Sequence, residues 1–267
     1  MIHLDVIKRG VSLPIHPFLR GLLCVYGIQL HHFTPNSILL ISCFVTLCEC
    51  WLGIFPHWGL FRRVFAVRRQ SSEKGKPPAA LGGIGLQTRA EFFNFKLLAS
   101  VRGWRERWFY ISDQSSAGQR YGLAEFSDAP PCRRKSWSHD MTEAEEQEAD
   151  ELLSKVELLR LPKGRALTGV DIMATWLKRR VQPLQARVEP MWKYTGVADP
   201  TRVSAEELSA DELRAHVKAL THLTAEELEE STRSPPMLPL SEDAPIPKVI
   251  FVRRCSSNCS PAFLDSS

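Results

Sequence analysis

Thr34-Pro35-Asn36-Ser37-Ile38-Leu39-Leu40-Ile41-Ser42-Cys43-Phe44-Val45-Thr46-Leu47-Cys48-Glu49-Cys50-Trp51-Leu52-Gly53 is the stretch from which the fold is read. Threonine accepts hydrogen bonds from the free amides of a helix start, and proline fits the first turn because no amide partner is needed there. From Ile38 onward the chain is apolar nearly all round until Gly53 and Pro56 punctuate its end. A helix of that kind belongs in a protein core or in a bilayer. From Ser37 to Phe55 the run approaches the length of a membrane span, so a single-pass membrane protein through residues 37–55 is one alternative. Ser42, Thr46 and Glu49 recur at i, i+4 and i+7, however, and draw a polar stripe along it. A carboxylate such as Glu49 is costly in lipid without a partner. The stripe favours a buried central helix over a membrane partner.

Upstream, Phe18, Leu19, Leu22, Leu23 and Tyr26 form a helical apolar stripe that Gly27 stops. Downstream, Trp58, Phe61 and Phe65 lie at i, i+3 and i+7, predicting a third, amphipathic helix with Arg62 and Arg63 facing elsewhere. Residues 69–83 read as a mobile loop. Beyond it the period changes to two at Ile84, Leu86 and Thr88 and again at Phe93, Phe95 and Leu97, and Trp108 to Ile111 is rich in strand formers. These predict a small antiparallel three-stranded sheet, its first two strands a hairpin, packed on the helices. Residues 1–127 thus read as one α+β domain. Residues 128–140 read as a linker and 141–230 as a mostly helical extension. In that extension Thr142 with Glu145 forms a capping box, Thr168 and Asp171 open a further helix, and Ser204, Ser209 and Thr224 each begin a similar helix-start phrase. Residues 231–267, rich in proline and serine, read as a disordered tail.

The bulk composition is that of an ordinary soluble protein, with 44% apolar and 24% charged residues. A net charge of +4 is too slight to mark a nucleic-acid binder by itself. Seven cysteines without regular spacing form no secreted disulfide framework. Cys24, Cys43, Cys48 and Cys50 sit in apolar runs, where a free thiol acts as a small core residue, so an intracellular compartment, cytoplasmic or nuclear, is expected. His31-His32 has no third and fourth ligand at metal-site spacing, Cys48 and Cys50 point to different helix faces, and Cys255 and Cys259 have no histidine near them. No metal or other cofactor is expected. The sequence has neither a nucleophile elbow nor a phosphate-cradling glycine loop. Glu143, Glu145, Glu146, Glu148, Asp150 and Glu151 crowd a helix start, where they complement its dipole. No enzyme is expected.

The basic groups carry more. Arg62, Arg63, Arg68, Arg69, Lys74 and Lys76 come directly after an aromatic helix, and Trp104-Arg105-Glu106-Arg107-Trp108 interleaves rings with guanidinium groups. Arginine and aromatic side chains together hold nucleic acid by charge and stacking. Arg62, Arg63, Arg68, Arg69, Trp104, Arg107 and Trp108 are the candidate contacts, for weak and non-specific binding. Trp58, Phe61 and Phe65 are the candidate interface of a homo-oligomer, since they offer more apolar surface than a small sheet covers.

Several phrases also carry a resemblance. Gly21 to Leu39, Phe44 to Gly53, Pro56 to Phe65, Gly82 to Gln87 and Val101 to Tyr110 succeed one another in order. Gly169-Val170, Ala174 to Leu177, Arg179 to Leu184 and Met191 to Gly196 continue the series. Together they resemble the gypsy-type transposon domain of plants over roughly residues 9–220. The resemblance implies a retrotransposon-derived, gag-like protein and assigns no reaction to particular residues. The protease triplet, the polymerase box and the zinc knuckle of retroelement enzymes do not occur in the sequence.

Overall fold

The Thr34 hydroxyl accepts a hydrogen bond from the Ser37 amide at 3.3 Å and starts helix α3, Pro35–Thr46. In the computed structural model this helix runs on through a π-helical turn, Leu47–Leu52, and stops at Gly53, whose φ of 67° is left-handed. The structure describes residues 1–11, 15–70, 79–89, 92–99, 101–111, 123, 126–132, 137, 141–161, 166–178 and 209–223. The tail 231–267, most of the loop 69–83, much of the linker 128–140, the 179–208 phrases and the Thr224 helix start lie outside the described residues, as do Lys74, Lys76, Cys255 and Cys259.

By length and composition alone the run Pro35–Leu52 is long and apolar enough to cross a membrane; 78% of it is buried inside the fold. Its polar stripe is fully used there. The Ser42 hydroxyl is 2.6 Å from the Arg9 carbonyl oxygen and 3.0 Å from that of Ile38, and Thr46 donates to the Ser42 carbonyl. Gly10, at φ +108°, lets the N-terminal chain pass close to Ser42, where any Cβ would collide with the Ser42 side chain. Glu49, 3% exposed, receives a hydrogen bond from His16 Nε2 at 3.1 Å.

The expected elements around α3 are largely present. Helix α1 is Leu4–Ile7, and α2, Pro17–Tyr26, buries Phe18, Leu19, Leu22, Leu23 and Tyr26 and ends on Gly27 at φ 61°. Helix α4, Trp58–Val64, is shorter than its apolar spacing predicts, because Phe65 already begins strand β2, Phe65–Arg69. Strand β1 is Ile2–His3, β3 is Ile84–Thr88 and β4 is Trp108–Phe109.

The strands do not form one three-stranded sheet. Instead β2 pairs antiparallel with β3, from Phe65 opposite Thr88 to Arg69 opposite Ile84. Separately, β1 pairs antiparallel with β4, Ile2 opposite Phe109 and His3 opposite Trp108. Residues 93–97 are not a strand, although Leu97 bridges to Thr221. Phe92, Phe93 and Phe95 are all buried, which an alternating half-exposed strand does not allow. The class is α+β with small antiparallel sheets, as expected, but paired differently.

Helix α5 is Glu143–Arg160, α6 is Gly169–Trp176 and α7 is Ala210–Leu220, each opened by a capping box: Thr142 with Glu145, Thr168 with Asp171, Ser209 with Glu212. These helices share the core of the first half, so the expected boundary near 128–140 does not separate two cores. Val156, Ile172, Met173, Trp176 and Val217 belong to the same apolar cluster as Phe44 and Leu22. Helix α5 packs on α4, α6 on α3, and α7 on α6. Gly59 admits the α5 backbone so closely that a Cβ there would lie 3.0 Å from the Glu145 carbonyl oxygen.

The α6 cap offers a direct check. The Thr168 hydroxyl accepts from the Asp171 amide at 3.2 Å and donates to the Asp171 carboxylate at 2.7 Å. Thr168→Ala is expected to lower stability by about 1–2 kcal/mol, since α6 inserts Ile172, Met173 and Trp176 into the core. Urea unfolding measures it, and an unchanged midpoint would count against the role of this cap.

Candidate functional site

The structure distributes the candidate residues among different jobs. Phe61 is 0% exposed and Phe65 3%, so neither offers surface to a partner. Both surround Phe44, with ring centroids 5.4 and 5.9 Å from it. Trp58 is half-buried, stacked on Phe61 and tilted against Tyr26. The i, i+3, i+7 spacing that suggested an interface is a core face packed on Phe18 and Tyr26 of α2 and Phe44 of α3, while α5 meets α4 at Gly59 and Arg63.

Among the arginines, Arg63 forms an ion pair with Asp150 of α5 at 2.9 Å. Arg62 is half-buried, and Arg68 and Arg69 are exposed at the end of β2, where Arg68 donates to the Gln87 side chain. Trp104, only 8% exposed, stands edge-on to His3 at 4.9 Å. Its ring is used inside the protein rather than offered to a base.

Arg107 reaches across the β1–β4 pair to Asp5, with contacts of 3.0 and 2.8 Å. Asp5 is also the partner of Arg9, a guanidinium 5% exposed whose pKa burial lowers while Asp5 opposes the shift. Helix α1 is thereby fastened to the 104–109 segment, and the Leu4 amide donates to the Arg107 carbonyl at 2.9 Å.

The same segment carries side chains that stay outside. Trp108 is 46% exposed, Phe109 39% and Tyr110 68%. Trp108 and Tyr110, two residues apart, have ring centroids 5.1 Å apart at 72°. Arg102 and Arg105, in the same segment, are exposed too, with the Arg105 guanidinium 5.6 Å from the Trp104 ring centroid. Of the contacts expected from sequence, Trp108 alone stands in this exposed aromatic group. Sequence reasoning quoted Arg105 in the interleaved phrase without naming it as a contact, and missed Arg102 and Tyr110, although both belong to the Val101 to Tyr110 phrase and Tyr110 is two residues from Trp108.

The paired histidines are interior. His31 and His32, 3% and 5% exposed, sit in a 3-10 turn with their rings 4.4 Å apart. His32 Nδ1 accepts from the Gln29 amide, so the ring proton is on Nε2, which donates to the Ala129 carbonyl at 3.1 Å. His31 has its pKa pushed down to about 4, by burial first and then by His32, His3 and the N-terminal amine. Among the described residues, His31 Nε2 and His3 Nε2 are buried with no hydrogen-bond partner. Among the described residues no group of three or more histidine, cysteine or acidic side chains is placed to hold a metal ion. Cys43 and Cys48 are completely buried and their thiols are shifted upward by desolvation. Cys24, expected inside, faces solvent.

These histidines fasten a crossing segment. Phe126 packs on His31 at 4.9 Å, the Ser127 amide donates to the Gln29 side chain, and Ala129 is held by His32. Trp137 Nε1 donates to the Tyr26 carbonyl at 2.7 Å. Residues 126–129 and Trp137 are thus tied back onto the end of α2 and the turn before α3.

Residues 1–69 match the family described as "Putative gypsy type transposon". The part of the fold from β1 through β2 is therefore the part that is similar to a gypsy-type transposable-element domain. Neither the curated proteins nor the solved structures give a match to the chain.

Proposed function

We propose that this chain is a non-catalytic, self-associating module of a retrotransposon-derived protein, gag-like in assembling by contacts between copies. The observation that carries this reading is the exposure of α5. Over 18 residues it buries only Ala149 and Val156, while Leu158 is 67% and Leu161 54% exposed. Leu158 and Leu161, three residues apart, are neighbours on the helix surface, and an apolar strip continued by a second copy would be covered as interface patches are. The non-catalytic part rests on the sequence, which has no activated nucleophile–base phrase. The run Pro35–Leu52 is assigned to the core rather than to a membrane, supported by its burial and by the His16–Glu49 contact.

Sedimentation velocity on the full chain tests the proposal. Concentration-dependent dimers or larger species are expected near about 50 µM, a range in which weak interfaces populate. Leu158→Glu combined with Leu161→Glu is expected to return the protein to a monomer with unchanged helicity. A wild-type chain that is strictly monomeric at that concentration overturns the reading.

A further inference from the structure

We propose that the exposed face of the 102–110 segment is a binding surface for single-stranded nucleic acid, with Trp108 and Tyr110 stacking on bases and Arg102 and Arg105 holding phosphates. This surface is separate from the exposed leucines of α5. Trp108 of β4 and Tyr110 just beyond it have ring centroids 5.1 Å apart, and they are 46% and 68% exposed. Both rings therefore have area free to stack.

Charge decides which occupant fits. Residues 4–9 and 102–110 together carry Lys8, Arg9, Arg102, Arg105 and Arg107, against two carboxylates, Asp5 and Glu106. Asp5 is consumed by Arg9 and Arg107. Arg102, Arg105 and Lys8 remain at the surface. A second copy using the same face would bring two sets of Lys8, Arg102 and Arg105 together, and like charges brought together oppose association. A polyanion meets no such penalty. Exposed aromatic rings further select single strands, because unpaired bases offer free faces whereas duplex bases are already stacked. Arg107 and Trp104 act as supports: Arg107 is tied to Asp5, and Trp104 is packed on His3 beneath Arg105.

Fluorescence anisotropy with labelled oligothymidylate and oligouridylate of ~20 nucleotides, read at about 50 and 200 mM salt, tests the surface. Both probes are expected to bind, more weakly at the higher salt. Trp108→Ala and Tyr110→Ala are each expected to weaken binding roughly tenfold, the scale of one stacking contact. Arg102→Glu with Arg105→Glu is expected to abolish most binding and flatten the salt dependence. The four side chains are exposed, and circular dichroism verifies each variant's fold; if an aromatic variant unfolds, the arginine pair decides the test. No binding at the lower salt, aromatic variants that bind like wild type, or equal binding to a duplex of the same length overturns the proposal. So does equal competition by polyglutamate or by anionic lipid vesicles, either of which would make the surface a generic acidic-partner site.

Discussion

Truncation of Phe44 to alanine is expected to remove about 3–5 kcal/mol of stability, a large part of the 5–15 kcal/mol typical of a folded domain. Phe44 is completely buried on α3, and its ring lies 5.4 Å from Phe18, 5.4 Å from Phe61, 5.9 Å from Phe65 and 6.4 Å from Phe92. Those neighbours come from α2, α4, β2 and the 92–95 segment, so no single element can relax inward to refill the void. Phe44→Leu, which keeps much of the volume, should lose about 1–2 kcal/mol. Urea unfolding followed by tryptophan fluorescence distinguishes the two variants. A Phe44→Ala loss below about 1 kcal/mol would mean that the aromatic cluster is not the centre of the cooperative unit.

The second large effect is a loss of stability in acid carried by His31. In the folded protein its pKa lies at about 4, chiefly because burial disfavours the imidazolium, with His32, His3 and the N-terminal amine adding repulsion. In the unfolded chain it returns to its ordinary 6.5. Between those values the unfolded chain takes up a proton that the folded chain refuses, so stability falls as pH drops from 6.5 and the loss is complete below about 4. The difference corresponds to about 3 kcal/mol. His3 and His32 are shifted in the same direction and add to it. Acidic residues also contribute to acid unfolding, so His31→Phe isolates the effect: an aromatic ring remains against Phe126, while the titration is removed. Unfolding free energies at pH 7 and 4.5 should differ less in the variant than in wild type. Equal differences would remove His31 from the explanation.

The elements read correctly from sequence were those whose signals are local. Gly27, Thr34 with Pro35, and Gly53 end or begin helices through their own backbone geometry, and all do so in the fold. Thr142, Thr168 and Ser209 act within one turn of themselves, and their capping boxes are present. Strand partners were not legible, because pairing Ile2 with Phe109 leaves no trace in either neighbourhood. Phe65 reads as helical because it continues the spacing of Trp58 and Phe61, yet it faces the same core from the first position of a strand. The aromatic residues at 92–95 imitate strand alternation while every ring is inside.

The candidate surface was legible in kind but not in membership. Interleaved tryptophan and arginine flagged the 104–108 phrase, and its neighbours Arg102 and Tyr110 belong to the exposed group. Exposure itself could not be read. Trp104 and Trp108 look alike in sequence, but His3 and Gly82 close over the first while the second stays open. Likewise Arg63 and Arg107 look free until Asp150 and Asp5 are placed beside them.

The family match ends at Arg69, the last residue of β2, whereas the folding unit does not end there. Strand β2 completes its ladder with β3 at Ile84–Thr88, β1 with β4 at Trp108–Phe109, and α3 is covered by α6. A frameshift or stop codon shortly after Arg69 would leave the recognisable segment intact in the reading frame while stripping both strand partners and the Trp176 face from its product. Such a product would present open strand edges and a bare apolar helix, the features that proteolysis and aggregation act on. Retention of residues 1–69 alone is therefore a poor guide to whether a reading frame of this kind yields lasting protein. Retention of the frame through α6 is the better one.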